Sequence, residues 1–543
     1  MIVKEYVNAL KTEFSSYNGK RLGKDVLAGI TVAAVALPLA LAFGVSSGAD
    51  AAAGLITAIL AGLFIGALSG GSYQISGPTG AMTAILVPLV AQYKMQGVFI
   101  ACFISGIILL LCGVLRLGTL VSFIPAPVIT GFTSGIAVII ALGQVTNLTG
   151  LTTSGETTVE KLAGYFTVPQ SPDITAIVIG LAVIVFMAVY PKKLNQYFPG
   201  SLFAIILATA ANMIFHFDVA VVGEIPRTLP LENRLVFSQI DLATLKNLLA
   251  PAASIAALGL IESLLCGASA GRMKNEKLNA DRELVAQGIG NMLIPFFGGV
   301  PATAAIARTS VAIKSGGQTR LTSIIHSAVL LLSMFLLAPV MSAIPLSALS
   351  GVLIMTAWRM NEWSAIKSIF KKRLKTAMAQ FLITMAATVV FDLTIAIMIG
   401  IVFSVVLFVV KVSEMQVSVS DIDGKKLADD VCGCEQFNNA AVAYITGPLY
   451  FGTVGKLEEK LHELSKKEIV IISMRGVPFA DMSGVQGLSE LCERLSLSDI
   501  SIYFSSVQPS VLQMFDRCGL TQDIGHERFF WSTDKVLAHI AQQ

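Results

Sequence analysis

The 543-residue sequence predicts an all-α polytopic membrane domain of about fourteen spans, set as two inverted groups of seven, followed by a small α/β domain. Three observations predict it. Apolar stretches run long without a charge, two Gly/Pro-broken segments recur at matching places, and the composition changes abruptly after Lys411.

Charged residues make up 13% of the chain and hydrophobic ones 54%, against roughly 25% charged in an average soluble domain. No Asp, Glu, Lys or Arg occurs from Val26 to Ala49, from Ala51 to Tyr93 or from Leu117 to Gly155. Further charge-free stretches run Leu194–Phe217, Leu284–Ala307, Leu321–Trp358 and Leu393–Val410. A helix crosses the hydrocarbon core with about 20 mostly apolar residues, so several of these stretches hold two spans. A soluble core is not built from consecutive runs this long. Counted against their breakers, the spans fall near 25–47, 51–69, 78–92, 97–115, 122–145, 173–190 and 199–217. After the polar stretch His216–Lys246 they continue near 248–270, 282–297, 302–315, 321–341, 343–358, 375–391 and 394–412. Met1–Lys24 is mixed and amphipathic, and the run from Val26 reads as a full span rather than a cleavable signal.

Charge placement sets the expected orientation. With the N-terminus in the cytoplasm, the inward segments carry Lys4, Lys11, Lys20, Arg21 and Lys24, then Arg116, then Lys192 and Lys193. They continue with Arg272, Lys274, Lys277 and Arg282, then Lys314 and Arg320, then Arg359 and the run from Lys367 to Lys375. The outward segments hold Asp50, the acidic Glu156–Asp173 loop and the mixed 218–246 loop. This alternation fits an even number of spans with both termini cytoplasmic.

The two halves echo each other. The third segment opens Ser76-Gly77-Pro78-Thr79-Gly80-Ala81-Met82-Thr83, and the tenth opens Gly298-Gly299-Val300-Pro301-Ala302-Thr303-Ala304. Each is third in its set of seven, and an odd number of spans inverts the second set relative to the first. Interrupted segments at matching places in inverted halves point to a solute site near the midplane. Helix N-termini meeting there expose unpaired N–H groups and positive dipole ends, which attract anions. Thr79, Gly80 and Ala81 present such groups from one side. Ala307, Arg308 and Thr309 do so from the other if the tenth helix starts there, after an extended approach over 299–306.

Glu262 is the only charge within Ala252–Ala270, and Arg308 opens the tenth helix. An intramembrane acid usually faces a cavity or a partner. Burial and a neighbouring guanidinium act on its proton in opposite senses, and an acid balanced between them suits proton coupling. A static Glu262–Arg308 ion pair and a cation site with Glu262 as oxygen ligand for sodium remain open. Phe43, in a first span broken at Pro38, is a candidate wall of the pocket.

These residues resemble the SulP family of sulfate-permease-like anion transporters, which also contains the mammalian motor protein prestin. The likeness rests on Leu37–Gly44, Ser76–Thr83, Gly259–Leu265, Gly298–Pro301 with Ala307–Ser310, and Ser315–Arg320, in order and spacing. It implies the fold of uracil permease: seven plus seven inverted repeats, a core domain, a gate domain, an elevator-like motion and a homodimer. It places the anion at Thr79, Gly80, Ala81, Ala307, Arg308 and Thr309, with Phe43 as the aromatic contact. Many members carry Gln where this chain has Leu39, so one polar substrate contact differs. The eighth-span acid is Glu in proton-coupled relatives and Asp in a sodium–bicarbonate relative, so Glu262 leans towards protons.

From about Gln436 the chain alternates β-rich runs (Val442–Ile445, Ile469–Met474, Ser501–Ser505) with amphipathic helices (Val454–Ser465, Val485–Ser496, Ser510–Cys518). This α/β domain resembles the STAS domain of the same family. The organisation expected is 1–24 as a cytoplasmic segment, 25–413 as the transport domain, 414–435 as a linker and 436–543 as the STAS domain. Asp481-Met482-Ser483-Gly484 matches the STAS motif with a phosphorylatable Ser. Ser483 is thus a candidate phosphosite, although the preferred reading is a simple helix cap.

The expected function is secondary active import of sulfate or a similar small anion with protons, in a bacterial plasma membrane. Alternatives are sodium-coupled bicarbonate or dicarboxylate uptake, and a non-transporting anion sensor signalling through the STAS domain to a cytoplasmic regulator. No resident cofactor, metal or nucleic acid is expected. Seven scattered Cys give no disulfide framework, and Cys432 and Cys434 lack further zinc ligands nearby. With five dispersed His and no phosphate-binding loop, neither an enzyme nor an ATP-driven pump can be assembled.

Overall fold

A computed structural model describes residues 2–119, 124–151, 164–165, 171–191, 199–229, 232–236, 242–391, 393–412, 415–422, 439–461, 464 and 466–542. Lys192, Lys193, Cys432, Cys434, most of the Glu156–Asp173 loop and much of 414–435 lie outside the described residues. The chain divides into two compact units, Met1–Phe403 and Ser404–Gln543.

The first unit is helical. Its elements are α1 (Ile2–Phe14), α2 (Gly19–Ser46), α3 (Ala51–Leu60), α4 (Gly80–Val114), α5 (Ala126–Gly143), α6 (Ile174–Val189), α7 (Gly200–Phe215) and α8 (Leu242–Lys274). There follow α9 (Ala280–Leu293), α10 (Ile306–Lys314), α11 (Leu321–Ser342), α12 (Leu346–Met360), α13 (Trp363–Lys371), α14 (Lys375–Val390) and α15 (Leu393–Val412), whose chain continues past Phe403 into the second unit. Among the described residues, six helical stretches are long and apolar enough to cross a membrane, and five shorter apolar helices accompany them. Their starts follow local chemistry. Asn18, Asp50, Asp173 and Asn279 each accept a backbone N–H in the first turn of α2, α3, α6 and α9. Pro125, Pro199 and Pro345 stand immediately before α5, α7 and α12, where their fixed φ precedes the first turn.

Two features differ from expectation and one agrees with it. The first span is not broken at Pro38: α2 runs through it, with that stretch buried against neighbouring helices. The third and fourth expected spans are two helices within Gly80–Val114, divided at Lys94, whose φ of 57° and ψ of −172° are not helical. The charged segment after α12 contains a helix of its own, α13.

Polar contacts lock the start of α11 to the N-terminal elements. Asp25, fully buried, accepts from the Gln318 and Thr319 N–H groups at 2.6 and 3.1 Å, from the Thr319 and Thr322 hydroxyls at 2.6 and 3.0 Å, and from Tyr17 Oη at 3.0 Å. Glu13 pairs with the Arg320 guanidinium at 2.8 Å and accepts from the Arg320 N–H at 2.7 Å. Asp25→Ala strands several buried donors, each costing about 1–3 kcal/mol. The expected result is a Tm drop of about 5 °C or more in detergent, with Asp25→Asn between the two; an unchanged Tm contradicts this role.

The second unit is a five-stranded sheet with helices. Its strands are β3 (Gln416–Asp421), β4 (Ala440–Thr446), β5 (Ile469–Gly476), β6 (Ser501–Ser505) and β7 (Phe529–Phe530), paired in that order. β3 is antiparallel to β4 and the remaining pairs are parallel. Gln416–Asp421, within the segment read as a linker, is therefore the edge strand of this sheet. The unit also contains the helices α16 (Val454–Leu461), α17 (Met482–Ser496), α18 (Pro509–Cys518) and α19 (Thr533–Ala541). The cap of α17 is Asp481, whose carboxylate accepts from the Gly484 N–H at 2.7 Å. Ser483 does not cap the helix, contrary to expectation; it lies exposed in its first turn.

Candidate functional site

Two short extended segments meet where the apolar spans are broken. Ser76–Gly77 (β1) and Thr303–Ala304 (β2) pair antiparallel, with Ser76 opposite Ala304 and Gly77 opposite Thr303. Extended backbone within a membrane domain must find partners for its N–H and C=O groups. Surrounding side chains supply several. Ser263 on α8 accepts from the Ala304 N–H at 3.3 Å, and Asn291 on α9 brackets Ala302 with bonds of 2.8 and 2.9 Å. Thr57 on α3 accepts from the Val300 N–H at 2.7 Å.

Each strand leads into a helix with an open first turn. Thr79 precedes α4 at φ −130° and ψ 158°, and Ala305 precedes α10 at φ −107° and ψ 114°; neither helix has a side-chain cap. The N–H groups of Gly80, Ala81 and Met82, and of Ile306, Ala307 and Arg308, have no protein acceptor among the described residues. Such ends carry the positive pole of the helix.

The side chains divide into those facing these ends and those turned away. Thr79 Oγ1 donates to Glu262 Oε2 at 3.0 Å, so the α4 cap residue is tied to the α8 acid rather than to its own helix. Arg308 is 1% exposed and reaches from α10 to the entry of α4, where Nη2 donates to the Pro78 carbonyl. Its Nη1 is buried without a partner among the described residues, beside Gly77, where a Cβ would stand 2.3 Å from it. Among the described residues Glu262 and Arg308 form no ion pair with each other. Gly80 lies against Phe43 and Ile140: a Cβ there would stand 3.1 Å from Phe43 Cε1 and 2.2 Å from Ile140 Cδ1.

Phe43, Thr79, Gly80, Glu262 and Arg308 thus gather around the two helix starts. Ala81 is buried behind the first turn of α4, and Ala307 is exposed on α10. Thr309 is different. Its hydroxyl accepts from the Ile75 N–H at 3.0 Å and from Cys266 Sγ at 3.4 Å, and its own N–H bonds to Ala305 O. Thr309 therefore fastens α10 to the ribbon. Leu39 is buried in the α2 core.

Sequence reasoning missed a polar layer behind the ribbon. Gln287 Nε2 donates to Ser76 Oγ at 3.0 Å and to Glu283 Oε1 at 2.9 Å. Glu283, fully buried, also accepts from the Ser69 hydroxyl and the Gly70 N–H at 2.6 and 2.9 Å, so α9 clamps the loop leading into β1. His326 on α11 is fully buried with both ring nitrogens unpartnered among the described residues. A polar group at that depth in an apolar span was the available signal. A cavity of about 450 Å³ lined by Asp50, Glu224, Arg227 and Glu232 contains none of the candidate residues.

Two uncapped helix starts, a guanidinium and one acid give this place a positive bias suited to a small anion. Comparison with known proteins agrees in kind. Residues 22–387 match the Sulfate permease family and residues 434–536 the STAS domain. YvdB of Bacillus subtilis (strain 168), whose name provisionally assigns it to sulfate transport, is 35% identical over 542 residues, covering 96% of this chain and 98% of YvdB. The Bicarbonate transporter BicA of Picosynechococcus sp. is 28% identical over 541 residues, covering 94% of each protein. The murine Solute Carrier 26 family member A9 anion transporter shares the fold at a TM-score of 0.82 and 17% identity, over 97% of this chain and 92% of that one. With the family matched across most of its first unit and its STAS domain across the second, this chain belongs to the sulfate permease family, whose members are membrane transporters and not enzymes.

Proposed function

We propose that this chain is a secondary active transporter that takes up sulfate or a similar small anion together with protons. The observation that carries the reading is the β1–β2 ribbon, which joins two helices of open first turn and lets Arg308 of one touch the entry of the other. Opposed dipoles hold the anion, with Phe43 and the backbone of Gly80, Ala81, Ala307 and Arg308 as contacts. Glu262 carries the coupling proton, linked to the anion end through the Thr79 hydroxyl. The fourteen-span, inverted-repeat arrangement is part of the same proposal, supported by the antiparallel meeting of two similar strand-to-helix elements. So are an elevator-like motion, a homodimer, and both termini on the cytoplasmic face of a bacterial plasma membrane. In the second unit, exposed Ser483 in the first turn of α17 is a proposed phosphosite for a cytoplasmic regulator, since phosphate suits a helix N-terminus.

A second reading is bicarbonate uptake driven by sodium. It is favoured by the similarity to BicA along nearly all of both chains. Here Glu262 is an oxygen ligand and not a proton carrier.

The test is uptake into proteoliposomes of labelled sulfate, bicarbonate, fumarate and chloride under imposed proton or sodium gradients. The proposal expects sulfate accumulation that rises with an inward proton gradient and ignores sodium. Bicarbonate uptake driven by sodium at fixed pH establishes the second reading instead. Saturable anion binding without flux refutes both and identifies a sensor.

A further inference from the structure

The connection between α12 and α14 presents a surface that anion transport does not use. α13 (Trp363–Lys371) lies between two apolar helices that end at Met360 and restart at Lys375. A connection this short between apolar helices holds α13 at the bilayer surface. Its buried contact is Ile369, while Trp363, Lys367, Phe370 and Lys371 are exposed. Trp358, at the end of α12 and 60% exposed, packs on Trp363 with ring centroids 4.5 Å apart. Trp363 Nε1 donates to the Trp358 carbonyl at 3.0 Å, fixing the aromatic pair. Lys372 and Arg373 follow directly, also exposed. None of these four cations pairs with an acid among the described residues. From Gly351 to Phe391 the sequence contains a single acid, Glu362.

Trp prefers the boundary between hydrocarbon and headgroups, and Lys and Arg extend from apolar stems to reach phosphate. A cation-rich, acid-poor helix at that depth complements anionic lipid. We propose that Trp358, Trp363, Lys367, Lys371, Lys372 and Arg373 form a docking site for the headgroups of anionic phospholipids. The rings seat at the hydrocarbon edge, and the four cations lie over the phosphates. This site is independent of which anion is carried or what drives it.

The chain contains three Trp, at 358, 363 and 531, so Trp531→Phe leaves both remaining reporters on the proposed surface. The full chain with this substitution is reconstituted in mixed phosphatidylcholine and phosphatidylglycerol vesicles, with brominated acyl chains on one lipid or the other. At equal bromine content, brominated phosphatidylglycerol is expected to quench emission about twofold more than brominated phosphatidylcholine. The combined Lys367→Gln, Lys371→Gln, Lys372→Gln and Arg373→Gln variant is expected to lose this preference. High salt should remove it from the chain that keeps its cations, a check that does not depend on the variant folding. Equal quenching by the two lipids overturns the proposal, as does a preference that survives both treatments. Emission shielded from both lipids also overturns it, because a second copy or an acidic protein then covers the surface.

Discussion

Glu262→Gln removes the response of anion uptake to a proton gradient while leaving anion binding within a few-fold of its original affinity. A gradient of about two pH units supplies about 2.7 kcal/mol per proton, enough for roughly 100-fold accumulation at one coupled proton. The variant should bring accumulation down to equilibration, and so lose nearly all of that factor. The reason is local. Glu262 Oε2 accepts from Thr79 Oγ1 at 3.0 Å, and Thr79 is the residue from which α4 starts. A proton on this acid changes what the Thr79 hydroxyl can donate to, one residue before the N–H groups that hold the anion. Glutamine keeps the size and a hydrogen-bonding terminus but cannot exchange a proton. Thr79→Val, which cuts the link and keeps the acid, should weaken the pH response and leave a residue of coupling. Undiminished gradient-driven uptake in Glu262→Gln excludes Glu262 as the coupling group, whatever the fate of the anion site.

Gly77→Ala weakens anion binding by about tenfold or more, equivalent to about 1.4 kcal/mol. A Cβ at this position would stand 2.3 Å from Arg308 Nη1 and 3.2 Å from Arg308 Cζ. The backbone ribbon has no need of a glycine side chain's absence for its own pairing, so the strain falls on the guanidinium. It must leave the Pro78 carbonyl, and the charge shared between the two helix starts moves with it. Isothermal titration or scintillation proximity with the purified protein reads the affinity directly. In an Arg308→Lys background Nη1 is already absent, so the same alanine should cost less than in the parent chain. Additive losses in the two variants would mean that Gly77 and Arg308 act independently.

Much of the first unit was legible because the bilayer imposes simple rules on composition. Charge-free length located the helices, and the Gly/Pro breaks at Ser76–Thr83 and Gly298–Ala304 marked the two extended segments that pair. The start of the tenth helix was placed at Ala307, and the structure starts it at Ile306. What the sequence hid depends on distant parts coming together. The pairing of Gly77 with Thr303 joins residues far apart in the chain, and no local pattern encodes it. Arg308 and Thr309 are neighbours in sequence, yet one bridges the helix starts and the other fastens α10 to Ile75; only tertiary packing separates their roles. Pro38 looked like a break, but a buried helix can lose one N–H donor and continue. At α17 two residues competent to cap stand two apart, and the backbone selected Asp481 over Ser483. The edge strand β3 was overlooked since six residues with an exposed, half-polar pattern resemble a linker until a neighbouring strand is known.

The most direct measurement is the position of a bound anion. Crystals of the protein grown with selenate in place of sulfate give an anomalous selenium signal that marks the anion. The peak should lie within hydrogen-bonding reach of a backbone amide from Gly80–Met82 and another from Ile306–Arg308, and it should lose occupancy in Gly77→Ala at the same selenate concentration. A selenate peak elsewhere, for instance in the cavity lined by Asp50, Glu224 and Arg227, with the two helix starts closed by packed side chains, would contradict the account.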